Sequence, residues 1–256
     1  MLTAYETRTR QLLQNPSAPT SLYATTDIDS WVNQARGQVA GETECCRALG
    51  TLNTTIGTRN YNFSAITLPS SVGLQGVLSV RAMRYSVGSG FQWMRPRPWP
   101  WFDLYYMNNP VPPSGPPNKW SQYGQGSAGT GSITGIGSGS MSSGSFYIDP
   151  IPDSAYALTM DCACYPSALA ADTDFEAIPY LFTDAVPYFA AYLALMSAQT
   201  GARIEQASKM MELYQMFIAR ANQASAPNVN RYLYSRQFDP TQLNKLGQQK
   251  SVGGQQ

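Results

Sequence analysis

The chain has 256 residues, a formal net charge of +1 and no histidine, and charged residues make up only 13% of it. The absence of histidine removes the commonest general base and metal ligand from any enzymatic interpretation. The small net charge argues against a broad attraction to nucleic acid, and the sparse charge is typical of a surface held in fixed contacts with other proteins.

A short helix is predicted at the start of the chain, over residues 1–14. It carries Glu6, Arg8 and Arg10 in place of the apolar segment of a signal peptide, so we expect no signal peptide.

A longer helix, the anchor helix, is predicted from Thr26 to Leu49, because apolar residues recur there at the three- and four-residue spacing of one helix face. Gly50 is expected to end this helix. Residues 51–63 are rich in Thr and aromatic side chains and predict two short strands around a turn at Gly57.

A proline- and tryptophan-rich segment, residues 91–102, follows a long strand or strand pair predicted at residues 74–85. Alternating prolines disfavour a helix and remove backbone donors, which predicts an extended, polyproline-like arm. The candidate interface residues on this arm are Trp93, Arg95, Arg97, Trp99 and Trp101. Three interpretations stay open: a loop folded onto the core, an interface with a neighbouring subunit or a tail protein, and a site for nucleic acid or an anionic membrane.

Residues 108–145 are dominated by Pro, Gly, Ser and Thr, and we expect a long projecting loop at residues 121–145. A G-x-G-x-x-G sequence at Gly124, Gly126 and Gly129 is not interpreted as a nucleotide site, because no βαβ unit surrounds it.

A strand with one buried face is predicted from Ala155 to Cys164, where Leu158, Met160 and both cysteines alternate with small or polar residues. The cysteine pairs Cys45-Cys46 and Cys162-x-Cys164 lack the C-x-x-C spacing of zinc and redox sites, so packing thiols are expected and no metal or cofactor is predicted.

The acidic residues Asp172, Asp174 and Glu176 are the strongest candidates for carboxylate catalysis. Their spacing along one loop is also that of a solvated turn or helix start, which we favour.

Two antiparallel helices are predicted near the end of the chain. The first runs from Pro179 to about Gln199, with Pro187 bending it or starting a second helix, and the other follows Gly201. The apolar stretch at residues 178–198 is not expected to span a membrane, because a central Asp184 and a proline are costly in lipid.

Charge is segregated along the chain. Basic residues dominate from Arg81 to Lys119, acidic residues dominate residues 149–184, and the end is basic again. Either solvated loops happen to segregate, or basic and acidic faces of neighbouring copies meet in a ring.

Together these elements predict an α+β fold in which the helices dominate. We expect an antiparallel helical bundle, made of the anchor helix and the C-terminal helical hairpin, with an inserted antiparallel β region. The predicted parts are residues 1–50 with 176–225 for the bundle, residues 51–175 for the β region, and residues 226–256 for an extended C-terminal arm.

Two sets of segments carry a resemblance to a known family. The first set consists of Asp27–Ala35, a T-x-x-G-x-R-x-Y pattern that contains Arg59 and Tyr61, and Leu68-Pro69. The second joins the P-x-P-D corner at Pro150, Pro152 and Asp153 to a strand, to Ile178-Pro179 and to the helix at 185–194. In this order the segments resemble the head-to-tail adaptor proteins of tailed bacteriophages.

The resemblance implies a non-enzymatic virion protein, assembled in the host cytoplasm and located in the neck of the particle. It implies a dodecameric ring that links the portal protein to a tail nozzle or hub and forms part of the DNA channel used in ejection, without a membrane. By the same resemblance the C-terminal arm reaches the portal. Its candidate contact residues are Arg231, Tyr232, Leu233, Tyr234, Arg236 and Phe238.

Two further hypotheses stay open. One is a tail-side module that binds a receptor or glycan by stacking exposed Trp and Tyr rings on sugar. The other is a different ring protein of the neck or tail, such as a stopper or a tail-completion protein.

Overall fold

The computed structural model describes residues 1–15, 21–70, 73–88, 90–108, 113–126, 144–197 and 201–225. Helices in this part are α1 (Leu2–Leu12), α2 (Thr25–Thr43), α3 (Trp99–Asn108), α4 (Tyr180–Thr183), α5 (Val186–Ser197) and α6 (Gly201–Ser225), and a 3-10 turn lies at Phe63–Ala65. The strands are β1 (Arg47–Asn53), β2 (Asn60–Asn62), β3 (Leu74–Val87), β4 (Gly90–Trp93), β5 (Arg95–Pro96), β6 (Lys119–Tyr123), β7 (Ser145–Asp149) and β8 (Ala157–Pro166).

Sheet A has the order β1-β8-β3-β4, and all three of its strand pairs are antiparallel. Its inner strand β8 alternates as the sequence predicts: Leu158, Met160, Cys162 and Cys164 are each at most 1% exposed and share one face. That face belongs to the main core, so the predicted buried face of this strand is confirmed.

Sheet B has the order β2-β7-β6-β5 and supplies the opposite wall of the core. Phe146 and Ile148 on β7 and Trp120 on β6 are buried against the core face of sheet A. Tyr61 and Phe63 stack on Phe146, with ring centroids 5.4 and 6.5 Å away. The main hydrophobic core therefore lies between two sheets.

Helices cover the other face of sheet A, where α2 packs on β8 and on α5, and α1 packs on both helices. The apolar stripe of α2 is fully buried, as its spacing predicts, at Ile28, Val32, Ala35 and Val39. The layers thus follow the order α1 with α2 and α5, then sheet A, then sheet B, and α3 packs on sheet B.

The predicted helical bundle with an inserted β region is wrong. The described residues form two four-stranded sheets with helices packed on sheet A, although the broad α+β class fits loosely. The reason is that the apolar faces of the strands bury each other, so the sheets supply a core of their own.

The anchor helix is shorter than predicted and ends at Thr43. Glu44 takes the left-handed conformation, with φ 49°, and forms an ion pair with Arg81. Residues from Arg47 onward pair with β8 instead. Gly50 lies in β1, where a Cβ atom would come within 2.5 Å of Ile66, so close packing and not helix termination explains this glycine.

The predicted hairpin around Gly57 is also wrong. The turn exists, with Gly57 at φ +76°. Its two flanking strands, however, belong to different sheets, since β1 pairs with β8 and β2 pairs with β7. This segment connects the two walls of the core.

The C-terminal helices run antiparallel, as predicted. Phe189 near the start of α5 contacts Tyr214 of α6 at 4.9 Å, and Tyr188 stacks on Phe217 at 4.9 Å. The helix predicted from Pro179 to about Gln199 is divided in two: α4 ends at Thr183 and α5 begins at Val186. Pro187 therefore lies in the first turn of α5, where proline is tolerated.

The chain divides into two compact units. The first, Met1–Ile218, contains both sheets and the helices up to most of α6. The second, Ala219–Gln256, begins with the last helical residues, 219–225.

Candidate functional site

An exposed row of aromatic and basic side chains follows the segment that passes from sheet A to sheet B. We call it the aromatic edge and define it by Arg84, Phe91, Trp93, Arg95, Arg97 and Trp101. Strand β4 pairs with β3, and β5 two residues later pairs with β6, so this short segment belongs to both sheets in turn. Met94 between them is buried, which anchors the crossing.

The part of the aromatic edge on sheet A is built around Arg84. Its guanidinium carbon lies 4.1 Å from the ring centre of Phe91 and 5.5 Å from that of Trp93. The two rings remain 56% and 62% exposed. A cation held over exposed aromatic rings is typical of protein interfaces, where Arg and Trp are enriched.

The part on sheet B places Arg95 and Arg97 in solvent, while their backbone N–H groups donate to the carbonyls of Asn118 and Trp120 at 2.8 Å. Trp101 is half-buried between cations: its ring centre lies 4.7 Å from Lys119 Nζ and 5.8 Å from Arg97. Lys119 also pairs with the buried Asp149 at 3.1 Å.

Trp99 has a structural position in the fold. Its ring packs at 4.3 Å from Tyr147 and 4.9 Å from Tyr123, on neighbouring strands of sheet B. The predicted interface residues therefore separate: Trp93, Arg95 and Arg97 are exposed, Trp101 is half-buried, and Trp99 is half-buried on sheet B.

The extended arm predicted for residues 91–102 is only partly correct, because α3 begins at Trp99. Proline disrupts a helix interior but fits its first turn, where the N–H has no partner to lose. Pro100 stands at that position. Sequence analysis missed two members of the aromatic edge, Arg84 and Phe91. Their spacing along the chain gives no indication that they meet, because the pairing of β3 with β4 brings them together.

The two sets of segments that carry the adaptor resemblance meet in the fold. Gly57 N–H donates to the Pro152 carbonyl at 2.9 Å, and Ile148 N–H donates to the Arg59 carbonyl at 2.9 Å. The Tyr61 hydroxyl donates to the Thr58 carbonyl at 2.8 Å and closes the turn. These residues build a corner at the end of sheet B.

The candidate catalytic carboxylates hold structural partners instead. Asp172 accepts bonds from the terminal amino group and from Thr3, which lowers the pKa of this carboxyl well below its usual range. Asp174 accepts from the backbone N–H groups of residues 170 and 171, and these bonds lower its pKa. Glu176 forms a buried ion pair with Arg36 at 2.9 Å. The arrangement fixes a loop against the helices.

The thiols on β8 are buried in the core, and burial raises the pKa of Cys162 to about 12 and that of Cys164 to about 11. Cys46 is buried as well, while the half-buried Cys45 lies 4.0 Å from it, sulfur to sulfur. All four are free. In the described residues, no three Cys, Asp or Glu side chains are grouped so that they could hold a metal ion.

The base of the glycine-rich loop is tightly packed. Gly126 N–H donates to the Leu78 carbonyl at 2.9 Å, and a Cβ atom at Gly126 would lie 1.6 Å from the Val77 carbonyl oxygen. Gly126 of the G-x-G-x-x-G sequence thus serves backbone packing against β3, whereas Gly124 has a φ of +76°, which favours glycine. Gly129 lies outside the described residues, as does most of the predicted loop.

The portal-contact residues predicted on the C-terminal arm lie beyond residue 225, outside the described part of the chain. The helices that the structure does describe include none with the length and apolar character needed to cross a membrane.

Comparison with known proteins gives one family. A search of curated proteins finds no match. The model of the SU10 adaptor protein family, in contrast, matches residues 3–241, which include both sheets, all the helices described above and the corner at Gly57 and Pro152. Since the match covers nearly the whole chain and agrees with the resemblance to phage adaptors, the chain belongs to the SU10 adaptor protein family.

Proposed function

We propose that the protein is a virion structural protein that forms the head-to-tail adaptor ring between portal and tail, lines part of the DNA channel and has no catalytic role. The family match over residues 3–241 carries this proposal. The aromatic edge supports it, because a cluster of exposed Trp, Phe and Arg side chains suits a permanent protein contact.

Two contacts are assigned within this function. The C-terminal arm, through Arg231, Tyr232, Leu233, Tyr234, Arg236 and Phe238, is proposed to bind the portal protein. The aromatic edge is proposed to bind a neighbouring subunit or a tail protein. The proposed ring is dodecameric and is located in the neck of the virion.

Portal binding is tested by mixing the purified chain with portal rings of the same virus and imaging them by negative stain, with mass photometry for stoichiometry. We expect a ring of twelve copies at one end of the portal. A chain that stays monomeric or trimeric in both samples and never decorates the portal would contradict the proposal. A stable trimer that binds a glycan array would favour the receptor-binding hypothesis instead.

The role of the arm is tested by deleting residues 228–256, which leaves both sheets and helices α1 to α5 intact. We expect the shortened chain to fold, as judged by circular dichroism, and to lose portal binding. Unchanged portal binding would remove the arm from the proposal.

A further inference from the structure

The described residues expose a second group of large apolar side chains, which lies next to carboxylates. We call it the acidic end and define it by Asp172, Asp174, Phe175, Tyr180, Leu181 and Asp184. Tyr180 is 83% exposed, and Phe175 and Leu181 are 60% and 50% exposed. Tyr180, Leu181 and Asp184 stand at helical spacing on and just after α4, so they share its solvent face.

Carboxylates concentrate around the acidic end and the adjoining start of α1. Burial, a hydrogen bond and the negative charge of Asp29, and the charge of Asp172 together raise the pKa of Glu6 to about 6. Burial is the largest cause that raises the pKa of the neighbouring Tyr5 hydroxyl, and the negative charges of Glu176 and Asp184 raise it further. Of the nearby cations, Arg36 forms the buried ion pair with Glu176, and the terminal amino group forms an ion pair with Asp172. Asp184 has no ion-pair partner among the described residues.

The aromatic edge carries the opposite charge. The described part of the chain pairs none of Arg84, Arg95 and Arg97 with a carboxylate, and Arg95 and Arg97 are exposed. Both surfaces therefore combine exposed aromatic or aliphatic side chains with charge of one sign, and the signs are complementary.

The two surfaces lie at opposite ends of sheet A. The loop that leads to the acidic end follows Pro166, which pairs with Leu74 at the start of β3, and Ser167 N–H donates to the Gly73 carbonyl at 2.8 Å. Arg84 lies at the far end of β3, where Tyr85 pairs with Leu158. The steps from Leu158 to Pro166 along β8 correspond to about 26 Å at ~3.3 Å per residue.

From this placement we infer that the aromatic edge of one copy binds the acidic end of the next copy. Complementary patches at opposite ends of one molecule cannot satisfy each other within that molecule. They fit a heterologous, head-to-tail contact, which is the kind that closes into a ring. The inference rests on the proposed ring and commits the aromatic edge to a second copy of this chain, not to a tail protein.

A charge-swap experiment tests the contact. The basic side is reversed in Arg95→Glu/Arg97→Glu and the acidic side in Leu181→Arg/Asp184→Arg; these four side chains are exposed and take part in no ion pair within the described residues. Arg47→Glu/Lys209→Glu is the control, with the same change of net charge as the first variant at exposed positions outside both surfaces. Assembly is measured by mass photometry on portal rings and by sedimentation velocity of the chain alone.

Each single-side variant is expected to assemble at least about tenfold more weakly than the wild type, because like charges then face each other. An equal mixture of the two is expected to recover assembly, since each intact side finds an intact partner and each reversed side finds a reversed one. A chain with all four substitutions should recover as well. Added salt should weaken the wild-type contact, because exposed charges are screened.

The outcomes separate the contact from the function. If the wild type decorates the portal and both single-side variants do so equally well, the contact is overturned and the adaptor function stands. If the wild type never decorates the portal, the proposed adaptor function is rejected. The contact between copies is then tested by sedimentation velocity of the chain alone at its highest soluble concentration. The contact is supported if the wild type self-associates, each single-side variant does so more weakly, and their mixture recovers. The absence of self-association overturns it. Weak assembly of the variants without recovery in the mixture overturns it too.

Discussion

The buried ion pair of Arg36 with Glu176 joins the helices to the loop after sheet A. The Arg36 side chain is 1% exposed and the Glu176 side chain 7%. Arg36 Nη1 also donates to the Ser167 carbonyl at 2.7 Å, and Glu176 accepts from Ile178 N–H at 2.9 Å. We expect Arg36→Leu to lower the free energy of unfolding by about 3–5 kcal/mol, because it leaves a buried carboxylate without its partner. Urea denaturation measures the change.

Two comparisons show whether burial causes that loss. The double variant Arg36→Leu/Glu176→Leu should be less destabilised than the sum of the single variants, since it removes both charges together. Arg47→Ala breaks the exposed pair with Asp161 and should cost about 1 kcal/mol or less. A similar loss in Arg36→Leu and Arg47→Ala would contradict a special role of the buried pair.

Glu6 predicts a pH dependence of stability at the contact between α1 and α2. Burial, Asp29 and Asp172 raise its pKa from 4.5 to about 6 in the folded chain, and Arg10 opposes them. Protonated Glu6 thus favours the folded state: its contribution is complete below pH 4.5 and is lost as the pH rises through 6. Glu6→Gln should therefore raise stability at pH 7.5 and flatten the profile between these values.

The control for Glu6 is Asp172, whose pKa is lowered, chiefly by bonds from Thr3. Its contribution is present above the usual value of 3.8 and is lost only as the pH falls through the lowered value. Asp172→Asn should accordingly lower stability both at pH 5 and at pH 7.5, and by somewhat less at pH 7.5, because it also removes one of the charges that raise the pKa of Glu6. An unchanged slope in Glu6→Gln between pH 4.5 and 6 would refute the assignment to Glu6.

At the scale of elements, two glycines predict opposite effects of the same substitution. Gly37 lies inside α2 with open space around it, so Gly37→Ala should stabilise the chain by about 0.5–1 kcal/mol through lower backbone entropy. Gly126 lies against the backbone of Val77, so Gly126→Ala should destabilise it by roughly 1–3 kcal/mol. Thermal unfolding of both variants checks the signs. A stabilising Gly126→Ala would contradict the packing described for Gly126, and a destabilising Gly37→Ala would contradict the open space around Gly37.

Sequence periodicity predicted the elements whose burial is local. The stripe of α2, the alternation of β8 and the restart of a helix near Pro187 all follow from side chains within one segment. The end of α2 could not be predicted from local periodicity. It is decided by the pairing of β1 with β8, which lies more than a hundred residues away in the chain. The same is true of the division of β1 and β2 between two sheets.

The candidate site was predictable only in part. Trp and Arg at alternating positions indicated an interface between residues 91 and 102, and three of the five proposed side chains are exposed there. The sequence could not indicate that Trp99 packs on sheet B, because its partners, Tyr123 and Tyr147, lie on two later strands, β6 and β7. Arg84 and Phe91 also come together only through the pairing of β3 with β4.

At the scale of the whole molecule, the two-sheet core separates the aromatic edge from the acidic end, the two surfaces that we assign to the two sides of one contact. Helices α1, α2 and α5 lie on one face of sheet A, with the acidic end toward one end of that sheet, while the aromatic edge crosses from its other end to sheet B. A rigid core of this kind can hold both patches at a fixed spacing, which a closed ring requires of every copy. The glycine-rich loop leaves this core between β6 and β7.

We expect the fold to survive removal of the glycine-rich loop, because its two ends are held together. Gly144 lies so near Gly126 that a Cβ atom on it would be 2.8 Å from the Gly126 nitrogen, and the Gly144 carbonyl accepts from Phe63 N–H at 2.8 Å. Replacing residues 127–143 by Gly-Ser-Gly-Ser should raise the free energy of unfolding by about 1 kcal/mol, since the cost of closing a loop grows with its length. Urea denaturation measures this change, and a loss of more than about 2 kcal/mol would mean that the replaced residues contribute to the core. If the fold is retained, the same variant also tests whether the loop takes part in the proposed contacts. We expect it still to decorate portal rings. A decline in tail attachment alone would assign the loop to the tail side of the ring.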